Sequence, residues 1–191
     1  MKKVNLLASA LVCMGAVFFT GQAAAQGAYV KLGVGQGELE DSDSETSFTL
    51  RGGYTFSENW SVEAAYTNYG ESSESYTDPD FGSFSFSFEP TSFSVSVLGS
   101  LPVNDNFSLY AKGGFSMWEL DVSSSYQNVP GIGSGSVSFD SDGTDLLLGL
   151  GAAASFNDTI GMFIEYETLG IDLDGTDLDL TNLTIGLSIS F

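Results

Sequence analysis

Histidine is missing from the 191 residues, and cysteine occurs once, at Cys13. Without imidazole the Ser–His constellations of acyl-transfer and hydrolytic enzymes cannot be built, and zinc loses its usual ligands. No enzymatic activity and no resident cofactor are therefore expected. Cys13 lies in an apolar run, Val4 to Thr20, that follows Lys2 and Lys3 and precedes the small residues Ala23, Ala24 and Ala25. That order is the order of a secretory signal peptide cut before Gln26. The expected division is a leader at 1–25 and one exported domain at 26–191. Leu11 and Val12 do not suit lipid attachment at Cys13, so the exported domain is expected to carry no thiol and no disulfide. Nor does any segment after the leader have the length and apolarity of a spanning helix.

Positive charge is nearly as scarce. Asp and Glu number 25 against five Lys and Arg. Two of the five go with the leader, which leaves Lys31, Arg51 and Lys112. Such an acidic chain repels nucleic acid, and it has no basic patch with which to grip lipid phosphates.

What the chain has instead is alternation. From Asn182 to Phe191, Leu183, Ile185, Leu187, Ile189 and Phe191 share one face of an extended strand, and small or polar residues take the other. A fully apolar strand face ending on Phe is a liability in water, but it suits a closed barrel in lipid. Seven further segments show the same period of two, at about 28–36, 47–56, 60–69, 91–101, 107–118, 144–156 and 160–169. Each is close to the ~9–11 residues of a tilted membrane strand. Short connections at 57–59, 102–106 and 157–159 alternate with long ones at 37–46, 70–90, 119–143 and 170–179. Short and long in turn, with an even strand count, predict an all-β, eight-stranded, antiparallel up-and-down transmembrane barrel with long loops outside the cell.

Turning the apolar positions outward sends every remaining base inward: Lys31, Arg51 and Lys112. Glu63, Glu165 and Glu167 also point inward. A base on the lipid face would cost ~2–4 kcal/mol at the mid-plane, whereas inside these six can pair. An eight-stranded barrel is narrow enough for side chains to fill, so a structural ion-pair network is preferred to a permanent pore. Gly33, Gly53, Gly149 and Gly151 fall on the same inward parity and leave room for the long side chains. Outward aromatics such as Tyr54, Phe56, Trp60 and Phe156 gather near strand ends, as in interfacial girdles.

Two features resist the simple pattern. Phe84, Phe86 and Phe88 alternate on even positions, whereas Phe93, Val95 and Val97 alternate on odd ones. Pro90 lacks the donor a ladder needs, so a bulge or break at Glu89-Pro90 is expected, with the Phe-Ser repeat extending the strand above the membrane. The motif Asp-x-Asp-Gly-Thr-Asp-Leu occurs twice, with Asp140, Asp142 and Asp145 and again with Asp172, Asp174 and Asp177. Carboxylates two apart beside a Gly turn can wrap Ca²⁺ on the external loops; the alternative, which is preferred, is plain Asp-Gly turn chemistry. The acidic run 38–45 reads as a solvated loop, or as one that divalent cations bridge to lipopolysaccharide.

With these residues in view, the chain resembles the small eight-stranded outer-membrane barrels of the OmpA/OmpX type. Ala28-Tyr-Val-Lys-Leu-Gly-Val-Gly35, Leu109-Tyr-Ala-Lys-Gly-Gly114 and Thr184-Ile-Gly-Leu-Ser-Ile-Ser-Phe191 carry the resemblance. It implies that Thr184, Gly186, Ile189 and Phe191 form the signal read by the outer-membrane barrel assembly machinery, and that inward Lys, Arg and Glu form lumen salt bridges. The sequence stops at Phe191, so the cell-wall-binding domain of full-length OmpA is not expected. The resemblance places the chain in the outer membrane of a Gram-negative-type cell after export by the general secretory route. A monomer is expected, with outer-membrane lipid and lipopolysaccharide around it. Its role is expected to be non-enzymatic: envelope structure or surface interaction, with a narrow or gated ion channel, or an adhesin working through its loops, as the alternatives. The surface partner is not named by the sequence.

Overall fold

The computed structural model describes residues 27–39, 44–78, 82–131, 133–173 and 176–191. Residues 1–25, expected as a leader, the acids at 40–43 and Asp174 lie outside the described residues, as do the side chains of Asp172 and Asp177. Nine strands form: β1 (Gly27–Leu39), β2 (Glu45–Ser57), β3 (Trp60–Asn68), β4 (Ser72–Asp78), β5 (Gly82–Asn104), β6 (Phe107–Val129), β7 (Gly133–Ser155), β8 (Ile160–Leu173) and β9 (Thr176–Ser190). All pairings are antiparallel, and no helix occurs among the described residues. The order β3-β2-β1-β9-β8-β7-β6-β5 closes on itself through β3–β5. Eight strands thus make the barrel, and the ninth, β4, continues the line of β3 along the upper part of β5.

Alternation explains the wall. Leu32, Val34, Leu50, Val95, Phe115, Leu148, Ile164 and Leu187 all face outward and stay exposed, forming the apolar band that lipid covers. Tight turns at 57–60, 104–107 and 155–160, with both ends of the described chain, mark one rim. Gly99, Gly53 and Gly151 stand directly across from Trp60, Tyr29 and Tyr110, whose rings lie over them; a Cβ at any of the three would meet the ring.

The other rim departs from the expected loops. β5, β6 and β7 are each 23 residues long, about twice what a membrane crossing needs. Most of 70–90 and 119–143 is therefore paired strand, and 170–179 is largely the tip of the β8–β9 hairpin. Polar–apolar alternation continues there, so the backbone continues as sheet. Above the band the faces exchange roles. Trp118, Leu120 and Val122 turn inward, while Glu119 and Asp121 turn out. Ser73, Ser87, Ser123 and Ser138 stand side by side on the outer face, as do Ser75, Ser85, Ser125 and Ser136 in the next such row. Most of these serines, with Glu71, line a depression of about 420 Å³, which Phe86, Ser124 and Val137, of the opposite parity, also border.

This inversion corrects the reading of Glu89-Pro90 as a bulge or break in its own strand. The β5–β6 register runs unbroken from Phe88↔Val122 through Pro90↔Leu120. Phe84, Phe86 and Phe88 keep the inward parity of Ser92, Ser94 and Ser96. Water replaces lipid outside the wall, so apolar residues move to the inner face with no residue inserted. The break lies in the neighbouring line, between β3 and β4. Tyr69 N–H donates to the Pro90 carbonyl at 3.0 Å. In an antiparallel strand a residue's N and C=O point to the same neighbour, so the missing donor of Pro90 faces this break rather than the β6 ladder. Gly70 makes the corner with φ +93, and its N–H donates to Asn68 Oδ1 at 2.9 Å.

The inward apolar groups meet as one cluster of Tyr69, Trp118, Leu120, Val122, Leu147, Leu169, Ile171 and Leu180, with Leu39 and Phe88 packed against it. It forms an apolar tier across the interior at the long-strand end. Trp118 Nε1–H donates to Asp145 at 2.6 Å, which satisfies its polar edge. Leu169 is fully buried in this tier. Leu169→Ala should destabilise the folded barrel by ~2–5 kcal/mol through the cavity it leaves. Urea unfolding in detergent reads this as a lower midpoint; an unmoved midpoint would mean the tier is not packed.

Candidate functional site

Below the apolar tier the interior is polar. Lys31 on β1, Arg51 on β2, Glu63 on β3, Lys112 on β6, and Glu165 and Glu167 on β8 converge from five strands, and all six are buried. Barrel closure brings them together: Arg51 and Glu165 are 114 residues apart in sequence. Lys31 Nζ lies 2.8 Å from Glu63 Oε2. Arg51 binds Glu165 through Nη1 and Glu167 through Nη2, the latter at 2.7 Å. Lys112 Nζ sits 2.7 Å from Glu165, 2.5 Å from Glu167 and 3.5 Å from Glu63. Three cations and three carboxylates leave the cluster formally neutral.

Aromatic rings and close backbone approach complete the enclosure. Tyr29 O–H donates to Glu63 at 3.1 Å. Lys31 Nζ stands 4.9 Å from the Tyr29 ring centre and 5.4 Å from that of Phe163, and the Arg51 guanidinium lies 5.3 Å from Phe163. Such cation–ring contacts are worth more when desolvated. Gly149 gives Lys112 its space, since a Cβ there would come within 2.9 Å of Lys112 Cε and Cγ. Between cluster and tier lies a layer of hydroxyls and amides. Ser47 donates to Asn182 at 2.6 Å, Thr49 and Thr67 are 3.4 Å apart, and Tyr69 meets Ser92 at 3.1 Å.

Chemically, the arrangement holds charge rather than using it. Each of the three carboxylates lies against at least one of the three cations. The other residues singled out in the sequence fall elsewhere. Asp140 and Asp142 are exposed on β7, paired with Asp121 and Glu119. They are strand residues, so the preferred turn chemistry does not hold for the first Asp repeat. Asp145, on the other parity, binds Trp118, so this repeat does not gather its three carboxylates. Among the described residues no group of three or more acids is arranged to hold a metal ion. Thr184 is buried in the lumen, and Gly186 packs against Leu32 and Gly33 backbone and the Phe163 ring. Ile189 and Phe191 face outward, and Phe191 N–H donates to the Ala28 carbonyl at 2.9 Å, tying the last strand to the first. The sequence reading missed the apolar tier, although the even-parity run Trp118, Leu120, Val122 was its signal.

The fold and its lumen define a transmembrane β-barrel of the small, packed class. The family model for the outer membrane protein beta-barrel domain matches residues 7–191, and the chain belongs to that family; its place is the outer membrane of a Gram-negative-type cell. No curated protein matches it. Among solved structures it is similar to Ail, the attachment invasion locus protein of Yersinia pestis, in complex with the heparin analogue sucrose octasulfate. There the identity is 17%, the TM-score 0.57, and coverage 87% of this chain and 99% of that one. It is also similar to OprG of Pseudomonas aeruginosa, at 12% identity and TM-score 0.56 over 87% and 97% of the two chains. The Neisserial surface protein A matches at 17% identity and TM-score 0.54 over 86% and 97%. At these identities the likeness is one of fold.

Removing one member of a buried ion pair commonly costs ~3–5 kcal/mol, because its partner is left charged and unpaired. Arg51→Met should therefore lower the urea midpoint of the refolded barrel strongly. Leu148→Met, which exchanges one lipid-facing apolar group for another, should cost less than ~1.5 kcal/mol. Equal midpoints for the two variants would separate Arg51 from any coupled network.

Proposed function

We propose that the chain is a non-enzymatic surface protein whose barrel anchors an extended sheet and presents it to a partner outside the cell. The observation that carries this reading is the length of β5, β6 and β7, 23 residues each. With β4 they build a four-stranded sheet that rises beyond the apolar band, where a barrel needing only to span the membrane would turn back. The channel reading has less support. The neutral cluster and the apolar tier both fill the interior, and nothing about either suggests an ion path. The sulfated sugar analogue bound in the Ail structure is a polyanion, and the described exterior of this chain offers no cation to receive one. On this reading the barrel assembly machinery receives the strand ending at Phe191, and divalent cations link the outward acids to lipopolysaccharide.

Trimming the upper sheet tests the proposal. Replacing 72–88 and 122–139 each by a short Asn-Gly turn should leave a heat-modifiable barrel in the outer membrane. Adherence of whole cells to host-cell or matrix-coated surfaces should then fall to the level of cells lacking the protein. Unchanged adherence, with the trimmed barrel correctly inserted, would contradict surface presentation and return the protein to a purely structural role.

A further inference from the structure

The upper sheet is wet on one face and dry on the other, and its dry face is only partly covered. The outer face carries the serine rows and is suited to water. On the inner face Phe88 and Val122 pack on the apolar tier. Beside and beyond them the same face leaves Tyr76, Phe86, Val137 and Phe139 at 64, 45, 62 and 59% exposure. They are neighbours: Phe86 pairs through Ser124 with Val137, and Phe88 through Val122 with Phe139. Contiguous exposed apolar groups rimmed by polar ones mark interaction sites, and aromatic anchors are the usual hot spots of such sites. No described strand stands against this face. β7 pairs with β8 only from Leu147 downward, and the β8–β9 hairpin ends at Leu173↔Thr176.

Charge selects the occupant. Glu74 lies directly across from Phe86. Glu45, at the start of β2 and on its inward parity, stands beside Gly70 at the foot of β4, and with Glu38, Ser72 and Phe88 it lines one depression at the barrel mouth. Among the described residues no base lies on this sheet or at this mouth, because Lys31, Arg51 and Lys112 are all enclosed in the lumen. A ligand with apolar groups alone would leave these carboxylates facing a low-dielectric surface. A polyanion would be repelled, and a second copy of the chain would bring the same acids. We propose that the inner face of the upper sheet docks a cationic amphipathic segment of a partner protein. Its apolar side chains would sit on Phe86, Val137 and Phe139, and its lysines or arginines toward Glu74 and Glu45. This deepens the surface-presentation reading and rests on it.

The probe is a short labelled peptide of alternating lysine and leucine, titrated by fluorescence anisotropy against the full chain in zwitterionic nanodiscs, with empty discs subtracted. Saturable binding that weakens with salt is expected. Phe86→Ser with Phe139→Ser should weaken it by about tenfold or more, at an unchanged unfolding midpoint of the barrel. Glu45→Gln with Glu74→Gln should weaken it severalfold and flatten the salt dependence. Lysine–serine and glutamate–leucine peptides should bind far more weakly than the lysine–leucine peptide. Equal binding of the glutamate–leucine peptide, or undiminished binding by the Phe86/Phe139 variant, would overturn the proposal. Self-association of the wild-type chain that the same two Phe substitutions abolish would assign the face to a second copy instead. If the peptide fails to bind while whole-cell adherence still depends on the upper sheet, the cationic partner is wrong and surface presentation stands. Loss of that dependence would instead remove the broader reading.

Discussion

Hydrocarbon offers the backbone no hydrogen bonds, and the rest of this structure depends on that constraint. Every N–H and C=O within the membrane must find a partner in the sheet, so the sheet must close. Here it closes through β3–β5 after eight strands. Eight strands enclose an interior that side chains fill. Any charge placed inside is cut off from water and must be balanced there. Lys31, Arg51 and Lys112 are balanced by Glu63, Glu165 and Glu167, with rings of Tyr29 and Phe163 around them. The net contribution of such a cluster to stability is near break-even against an apolar core. Its physical role is to fix which strands meet, since removing any one member strands another.

The second constraint is the change of solvent along a single strand. β6 shows it most plainly. Phe115 and Met117 face lipid on odd positions, and one residue later Trp118, Leu120 and Val122 face inward on even ones. The strand does not slip or bulge there; the medium outside it changes from hydrocarbon to water. The apolar tier is the consequence. It seats the aromatic part of the upper sheet on the barrel, separates the charged layer from the outside, and leaves the far end of the same face uncovered.

The barrel was legible because lipid imposes a strict alternation over all eight crossings. From Leu183 to Phe191 and from Leu146 to Leu150, parity alone names the outward face. The inward position of the six charged residues was legible for the same reason. Their pairing was not, because partners such as Arg51 and Glu165 meet only through barrel closure. Pro90 misled, since a missing donor marks a break without saying which of two adjacent strands carries it. The 119–143 segment misled as well: Ser, Gly and Asp are loop-rich residues, yet their cross-strand register with Val122, Tyr126, Val137 and Phe139 keeps them in sheet.

A chain with 25 acids and five bases that encloses all three of its described bases shows its surroundings an almost wholly negative surface. Among the described residues the interior is where opposite charges are matched, and such a matched interior is a filled, neutral core rather than a path. Planar-bilayer recording of the refolded full chain tests this most directly. A packed lumen predicts no steady conductance above the bare-bilayer baseline at moderate voltage in either polarity. A reproducible ohmic conductance that changes its ion selectivity with Lys112→Ala or Glu165→Gln would contradict it, and would make the six charged residues the lining of a pore.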